Sequence, residues 1–389
     1  MRLVYFTDFS EQFPYRFLRG IYKYAREKKE HWTVCRMPSE LKGQYSFEEF
    51  VAWVKEWRAD VVIGQFTPDV DIQALPRNGI IVMAQDYISP FQGIPNITAD
   101  DHKMGEMAAE RCVARGFRNF AFFGNNGMCW SDGRRDGFRD YLEQAGFGDN
   151  VHIYNRQRIS NLWYYRQELL RDWLLSLPKP VGIFACDDNQ AVILAEACHA
   201  LEFRIPYDVA ILGVDNDEIL CNMSDPPITS IDVDIERGGY EAAAMATQRM
   251  HDSSYGGNDI VLQPLHIVTR ESTNLITTKD ILVHHALTFI DSNLQHKIQV
   301  ADVLKHVPIS RRLLEQRFLK ATGKTIYQYI SEQRIDYFAR LLLETGEPVS
   351  NLAARMDEPD PKSLSRRFKE LKGCTPTAYR RLKLRKSRA

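Results

Sequence analysis

Ile309-Ser310-Arg311-Arg312-Leu313-Leu314-Glu315-Gln316-Arg317-Phe318, closed five residues later by Gly323, is written twice in this chain, with changes. Leu314, Phe318, Gly323, Thr325 and Tyr329 return fifty residues on as Leu364, Phe368, Gly373, Thr375 and Tyr379. Just upstream, Val300, Val303, Leu304 and Val307 return forty-nine residues on as Val349, Leu352, Ala353 and Met356. The upstream group has the i, i+3, i+4, i+7 spacing of one helix face. The downstream group starts a new helix, with an inward apolar pair at i, i+4 and a glycine that ends it. The one-residue difference in offset falls where a turn must join the two. Short helix, tight turn, second helix, twice over, is a pair of helix-turn-helix units. Between them residues 330–344 carry apolar side chains at helical intervals with neither Gly nor Pro, which predicts one long joining helix.

The repeat sits in a basic segment. The 389 residues carry a net charge of −1, but residues 281–389 carry +10 and the preceding 280 carry −11. A local excess of this size suits a polyanionic partner. On the second helix of the first unit, Arg312, Glu315 and Gln316 lie opposite Leu314 and Phe318; Lys362, Ser365 and Arg366 hold the same face in the second unit. A helix in the major groove of double-stranded DNA needs such side chains: Arg or Lys for guanine, Gln for adenine, Glu for cytosine. Arg311, Arg317 and Arg367 are placed to hold phosphates and fix register. Ser310 reads as an N-cap whose helix end can meet a phosphate.

Residues 300–381 resemble the AraC/XylS-type DNA-binding domain, seven helices with two helix-turn-helix units. Val307-Pro308-Ile309-Ser310-Arg311-Arg312 is similar to its first unit, and Gly373-Cys374-Thr375-Pro376-Thr377-Ala378-Tyr379-Arg380 to its terminal signature. One departure stands out. The family has Gly-Phe in the turn of the second unit, where this chain has Asp357-Glu358. Asp tolerates a left-handed turn position, whereas Glu358 cannot replace a buried Phe, so the second unit is expected to dock less firmly or to read less sequence.

Upstream, apolar strand-like runs at 3–7, 60–66, 80–85, 119–124, 181–186 and 209–214 alternate with amphipathic stretches. That alternation predicts a parallel sheet with helices on both faces, and ligands in such sheets bind beyond the carboxyl ends of the strands. The residues there are polar: Asp8-Phe9, Gln85-Asp86, Asn125-Asn126, Asp187-Asp188 and Asp215-Asn216-Asp217. Their chemistry suits a neutral, hydroxyl-rich ligand better than a phosphate.

This region resembles the LacI/GalR-type effector domain, the two-lobed type I periplasmic-binding-protein fold. Arg134-Arg135-Asp136-Gly137-Phe138 is similar to its R-x-x-G-F helix start, Asp187-Asp188-Asn189-Gln190-Ala191 to its N-D-x-x-A element, and Gly213-Val214-Asp215-Asn216 to its G-F-D-D strand end. Joined to an AraC-type reader, the whole chain resembles the xylose-operon activators. That family also has Trp-x-x-x-Arg, here Trp130 to Arg134, and a Tyr-Asp-Arg loop, here Pro14-Tyr15-Arg16. Gln65 stands where those activators have an acidic residue, so the effector stays open between xylose, another pentose and a hexose. The resemblance implies that Arg134 bonds paired hydroxyls, that Asp188, Asp215, Asp187, Asn216 and Gln65 bond others, that Trp130 stacks on a sugar ring, and that Tyr15 and Arg16 complete the site. Asp188 has a second reading as a helix N-cap, and Trp130 as core packing.

Other function classes fit poorly. Seven cysteines without a CxxC pair argue against a disulfide framework and a cysteine zinc site. No apolar run approaches the ~18 residues of a membrane span, and no secretory leader is evident. Gly323-Lys324-Thr325 mimics a P-loop end, but the position five before Gly323 is Phe318. Adjacent Asp187 and Asp188 rarely aim at one atom, which argues against a hydrolase pair. The expectation is a cytoplasmic, non-enzymatic regulator with no cofactor, metal or membrane partner: a sugar sensor over 1–270, a linker over 271–280 and a DNA reader over 281–389. The resemblance implies a homodimer and, for an activator, contact with RNA polymerase.

Overall fold

The computed structural model describes the chain except residues 10, 39–45, 155–166, 253, 275–279, 346, 359 and 387–389. It divides into two compact units, Met1–Thr273 and Asn274–Ala389.

The first unit has two lobes, each built on a six-stranded sheet. The first lobe begins with β1 (Arg2–Thr7), α1 (Gln12–Lys28), β2 (Thr33–Pro38), α2 (Phe47–Glu56), β3 (Val61–Gln65), α3 (Ala74–Arg77), β4 (Ile81–Gln85) and β5 (Asn96–Ala99). The second lobe holds α4 (Asp101–Ala114), β6 (Asn119–Phe123), α5 (Cys129–Gln144), β7 (Val151–Ile153), α6 (Gln167–Ser176), β8 (Val181–Ala185), α7 (Asp188–Ala200), β9 (Val209–Val214), α8 (Glu218–Met223) and β10 (Thr229–Val233). The chain returns to the first lobe with α9 (Ile235–His251) and β11 (Ile260–Leu262), then closes the second with β12 (Pro264–Val268).

The strand orders are β11-β5-β4-β3-β1-β2 and β12-β10-β9-β8-β6-β7. Pairing is parallel except that β12 runs antiparallel to β10. Helices cover both faces, so central strands read as unbroken apolar runs; all six residues of β9 are buried. Between β3 and β4 the register sets Gln65 opposite Gln85, which puts both at the carboxyl edge.

The chain passes between lobes three times, and the three passages are bonded together. Asp100 N donates to Leu262 O at 2.9 Å, Asp234 N to Gln263 O at 3.1 Å, and Gln263 N to Asp234 Oδ1 at 2.6 Å. This is the hinge.

Of the six strand runs predicted, each is a strand in the structure, within a residue or so of its expected ends. The six others escape the pattern because they are short, lie at or near a sheet edge, or carry polar residues, as in Asn96-Ile97-Thr98-Ala99. One boundary differs from expectation. Glu271–Thr273, assigned to the linker, form a 3₁₀ turn in the second lobe. Ser272 is wholly buried there; its hydroxyl donates to Ile211 O and accepts from Thr229 N. Linker positions 275–279 lie outside the described residues.

The second unit has α10 (Ile281–Ser292), α11 (Val300–His306), α12 (Arg311–Thr322), α13 (Ile326–Glu344), α14 (Val349–Arg355), α15 (Pro361–Lys372) and α16 (Pro376–Lys386). The repeat in sequence is a repeat in packing. Phe318 meets Tyr329 edge-on at 5.6 Å, and Phe368 meets Tyr379 edge-on at 5.3 Å. Leu314 and Phe318 belong to one core, Leu364 and Phe368 to another, and α13 supplies residues to both. Gly323 and Gly373 end their helices at φ 71° and 73°, the left-handed cap their positions predicted. The joining helix starts at Ile326, four residues earlier than expected, because Thr325 and Gln328 form a capping box there.

Candidate functional site

The site begins with two glycines. A Cβ on Gly137 would lie 2.0 Å from His102 O, and one on Gly105 2.2 Å from Arg134 O. Only residues without a Cβ let α4 and α5 cross this closely. The crossing sets Arg134, on α5, against Asp101, in the first turn of α4.

Arg134 is buried. Its Nε donates to Asp101 Oδ1 at 2.8 Å, one terminal nitrogen donates to Cys186 O at 2.5 Å, and the other lies 3.9 Å from Asp215 Oδ1. Burial works against its charge, but Asp101 and Asp215 outweigh burial and raise its pKa. The guanidinium also lies over the Trp130 ring, 5.2 Å from its centroid, a cation–π arrangement. Trp130 packs against the core on its other contacts.

Carboxyl groups surround this cation. Burial pushes Asp86 up to about 8, with Asp101 adding to the rise. Burial raises Asp101 to about 6 despite Arg134. Asp187, Asp188 and Asp215 are raised by burial as well. Glu11 is pushed up to about 8 by burial and by Asp187, Asp215 and Asp8. A protonated carboxyl is both donor and acceptor, so the cleft offers both to a hydroxyl-rich ligand.

The cleft is lined by Glu11, Gln12 and Phe13 from the first lobe and by Asp187, Asp188, Asn189, Asp215, Asp217 and Leu220 from the second. Two bonds span it. Asn189 Nδ2 donates to Glu11 Oε1 at 2.6 Å, and Gln12 N donates to Asp217 Oδ2 at 3.2 Å.

The expected site residues divide into two sets. Asp187, Asp188 and Asp215 line the cleft, and Arg134 is joined to it through Asp215. Asp187, not Asp188, is the N-cap of α7 and accepts from Gln190 N at 2.7 Å. Asp188 instead accepts from Asp217 N at 2.7 Å, and its carboxylate lies so close to Gly213 that a Cβ there would be 2.2 Å away. Asp188 therefore braces the β9–α8 connection.

Asn216, Arg16, Tyr15 and Gln65 are not among the residues that line this cleft. Asn216 Oδ1 is held by Arg270 at 2.8 Å. Arg16, expected as a sugar contact, donates to Asp215 O at 2.7 Å, Asp232 Oδ1 at 3.0 Å and Val233 O at 2.9 Å. Those three bonds tie α1 to the ends of β9 and β10, so Arg16 joins the lobes. Tyr15 is exposed, edge-on to Phe9. Gln65 is half-buried at the end of β3. The sequence reading missed Glu11, Gln12 and Asp101. Glu11 and Gln12 lie in the loop and first turn after β1, and Asp101 heads a helix after β5, a strand the pattern did not reveal.

In the second unit Arg311, Arg312 and Gln316 are exposed on α12 with Glu315 half-buried; Lys362 and Arg366 are exposed on α15 with Ser365 and Arg367 half-buried. Ser365 donates its hydroxyl to Pro361 O at 2.8 Å, one turn back along its own helix. Ser310 occupies the N-cap position, but its side chain makes no capping bond and is exposed. Arg317, expected on phosphate, pairs with Asp280 at 3.4 Å.

Two lobes closing on an acid-lined, arginine-bridged cleft, followed in the same chain by two helix-turn-helix units, define a ligand-sensing DNA-binding regulator. Residues 109–273 match the periplasmic binding protein-like domain family and residues 303–382 the helix-turn-helix domain family. A xylose operon regulatory protein of Haemophilus influenzae is 30% identical over 338 residues, covering 84% of this chain and 86% of that one. Its namesake in Escherichia coli K12 is 24% identical over 390 residues, covering 97% and 96%. A solved structure of the xylose-binding transcription activator xylR aligns with a TM-score of 0.62 at 23% identity, covering 98% of each chain. The chain belongs to the family of xylose operon regulatory proteins.

Proposed function

We propose that this chain activates a pentose-catabolic operon in the cytoplasm, as a homodimer without catalytic activity, when a sugar of the xylose class enters the cleft. The observation that carries this reading is Arg134, buried between Asp101 and Cys186 O beside the cleft residue Asp215. A fixed guanidinium among carboxyls can bind adjacent hydroxyls with little reorganisation. The sugar acts by population shift: it favours the closed lobes only through its greater affinity for them. Closure changes how two protomers present their readers to an operator and to RNA polymerase.

The exposed Tyr15 and the neutral Gln65 favour a second reading, a related sugar in place of xylose. Isothermal titration with xylose, arabinose, ribose and glucose separates the two. Saturable binding of one sugar, lost in Arg134→Ala, is expected; binding of none overturns the sugar reading. On the DNA side, Arg312→Ala with Arg366→Ala is expected to abolish operator binding and leave sugar affinity intact.

A further inference from the structure

The turn of the second helix-turn-helix unit holds a buried charge. Asp357 sits at φ 51°, the left-handed region, and Glu358 beside it is 7% exposed. A carboxylate at that depth needs partners. They come from elsewhere in the reader. Lys297, in the segment leading into α11 and the first unit, donates from Nζ to Glu358 Oε1 at 3.4 Å. Its neighbour His296 meets Asp357 Oδ2 through Nδ1 at 2.8 Å.

Arg334 of the joining helix α13 closes the arrangement. It is buried, and its guanidinium donates to His296 O on one side and to Met356 O, at 2.8 Å, on the other. Burial lowers its pKa, Glu358 opposes that fall, and Arg367 of α15 adds to it. Glu358 is thus paired with Lys297 and within electrostatic reach of Arg334, which itself bonds the Met356 carbonyl at the start of the turn. The His296–Asp357 pair is exposed and contributes little by itself. Glu358 and Arg334 are buried, so the connection rests on the Lys297–Glu358 pair and on the bonds of Arg334 to His296 O and Met356 O. At the far end of α15, Lys372 pairs with Asp336 of α13 at 2.5 Å.

We propose that Glu358 is a positioning residue: paired with Lys297 beside an Arg334 that bonds His296 O and Met356 O, it fixes α15 relative to α12, so that the two recognition helices engage successive major grooves as one rigid reader. The proposal rests on the DNA-binding reading above and reverses the expectation that the Asp357-Glu358 turn loosens the second unit. Two linked binding elements reinforce each other only when their geometry matches the spacing of their targets. A rigid reader therefore rejects duplexes whose two contacted segments are moved out of phase with the helical turn of about 10 base pairs.

The test uses the full chain. Duplexes are selected from a random pool by the wild-type protein, the contacted segments are mapped by footprinting, and one to five base pairs are inserted between them. Wild type is expected to lose at least about tenfold in affinity at half-turn insertions. Glu358→Ala and Glu358→Gln are expected to bind the selected duplex about tenfold more weakly and to cut the insertion penalty to roughly threefold or less. Base preference within each segment and the salt dependence stay unchanged. A merely structural role would lower the Tm and weaken all duplexes alike, leaving the insertion penalty intact. Glu358→Gln keeps the side-chain volume, and far-UV circular dichroism confirms that it folds. A wild-type footprint confined to one groove, or an undiminished penalty in the folded Glu358→Gln variant, overturns the proposal. Failure to enrich any duplex overturns it together with the DNA-binding reading, and is recognisable as that.

Discussion

Arg134 shows how much one residue can carry. Its partners are two carboxylates and a carbonyl, and it has lost nearly all contact with water. Removing a partner from such a pair costs about 3–5 kcal/mol, because the charge left behind stays buried. Arg134→Ala is accordingly expected to lower the Tm of the sensor as well as to abolish sugar binding. Arg134→Lys keeps the charge but loses the planar fork; it is expected to recover most of the stability and little of the affinity. Thermal melts read beside titration calorimetry distinguish these outcomes. Glu11 makes a pH prediction of definite sign. Folded, it keeps its proton to about pH 8, against an ordinary value of 4.5. The folded chain therefore binds more protons than the unfolded chain between these values. The stability this contributes is complete below the ordinary value and fades as the pH rises through about 8. The sensor Tm is expected to fall from about pH 5 to about pH 8, and Glu11→Gln, which cannot ionise, to flatten that fall. An unchanged slope in the variant would reject the assignment. Arg134 and Asp215 are legible in the sequence because each follows an element whose pattern is plain. Asp101 is not legible, since its place depends on a close helix crossing that no linear spacing reveals.

That crossing belongs to the scale of elements, and it occurs twice. Gly105 and Gly137 bring α4 onto α5; Gly20 and Gly239 bring α1 onto α9, where added Cβ atoms would lie 2.0 Å from Glu236 O and Phe17 O. In each case the obstruction is backbone, which cannot rotate away. Gly137→Ala is expected to cost about 1–3 kcal/mol as an overpacked contact. It should also draw Arg134 off Asp101 and weaken sugar binding without touching a cleft residue. A variant with normal sugar affinity would show that the crossing does not position Arg134. The helices of the reader are the most legible elements of the chain, because a fifty-residue repeat supplies each observation twice. The edge strands are the least legible: β7 and β11 are three residues long, too short for alternation to separate from chance. Asp357 and Glu358 fall between these extremes. The left-handed turn follows from the sequence, but the partner of Glu358 is Lys297, sixty-one positions back in the chain.

At the scale of the molecule, the two compact units offer separate ligands separate targets. A sugar that binds Met1–Thr273 only when folded stabilises that unit by an amount set by its concentration over its Kd, about 2.7 kcal/mol at a hundredfold excess. DNA binding to Asn274–Ala389 obeys the same relation. Scanning calorimetry of the full chain is expected to show two transitions, with the sugar raising one and a selected duplex raising the other. Arg134→Ala should remove the first shift and leave the second; Arg312→Ala with Arg366→Ala should do the reverse. Regulation requires a further term, because a ligand that stabilises its own unit alone cannot alter affinity for DNA. Coupling is reciprocal in free energy, so whatever factor the sugar applies to DNA affinity, DNA must apply to sugar affinity. Titrating the sugar with and without a saturating duplex measures that factor directly. For an activator whose closed lobes favour the bound reader, sugar is expected to bind about 5–150-fold more tightly on DNA. Equal affinities in both titrations would show that the cleft and the reader are thermodynamically independent, and that sugar acts after DNA is bound, on a step that occupancy of the operator does not report.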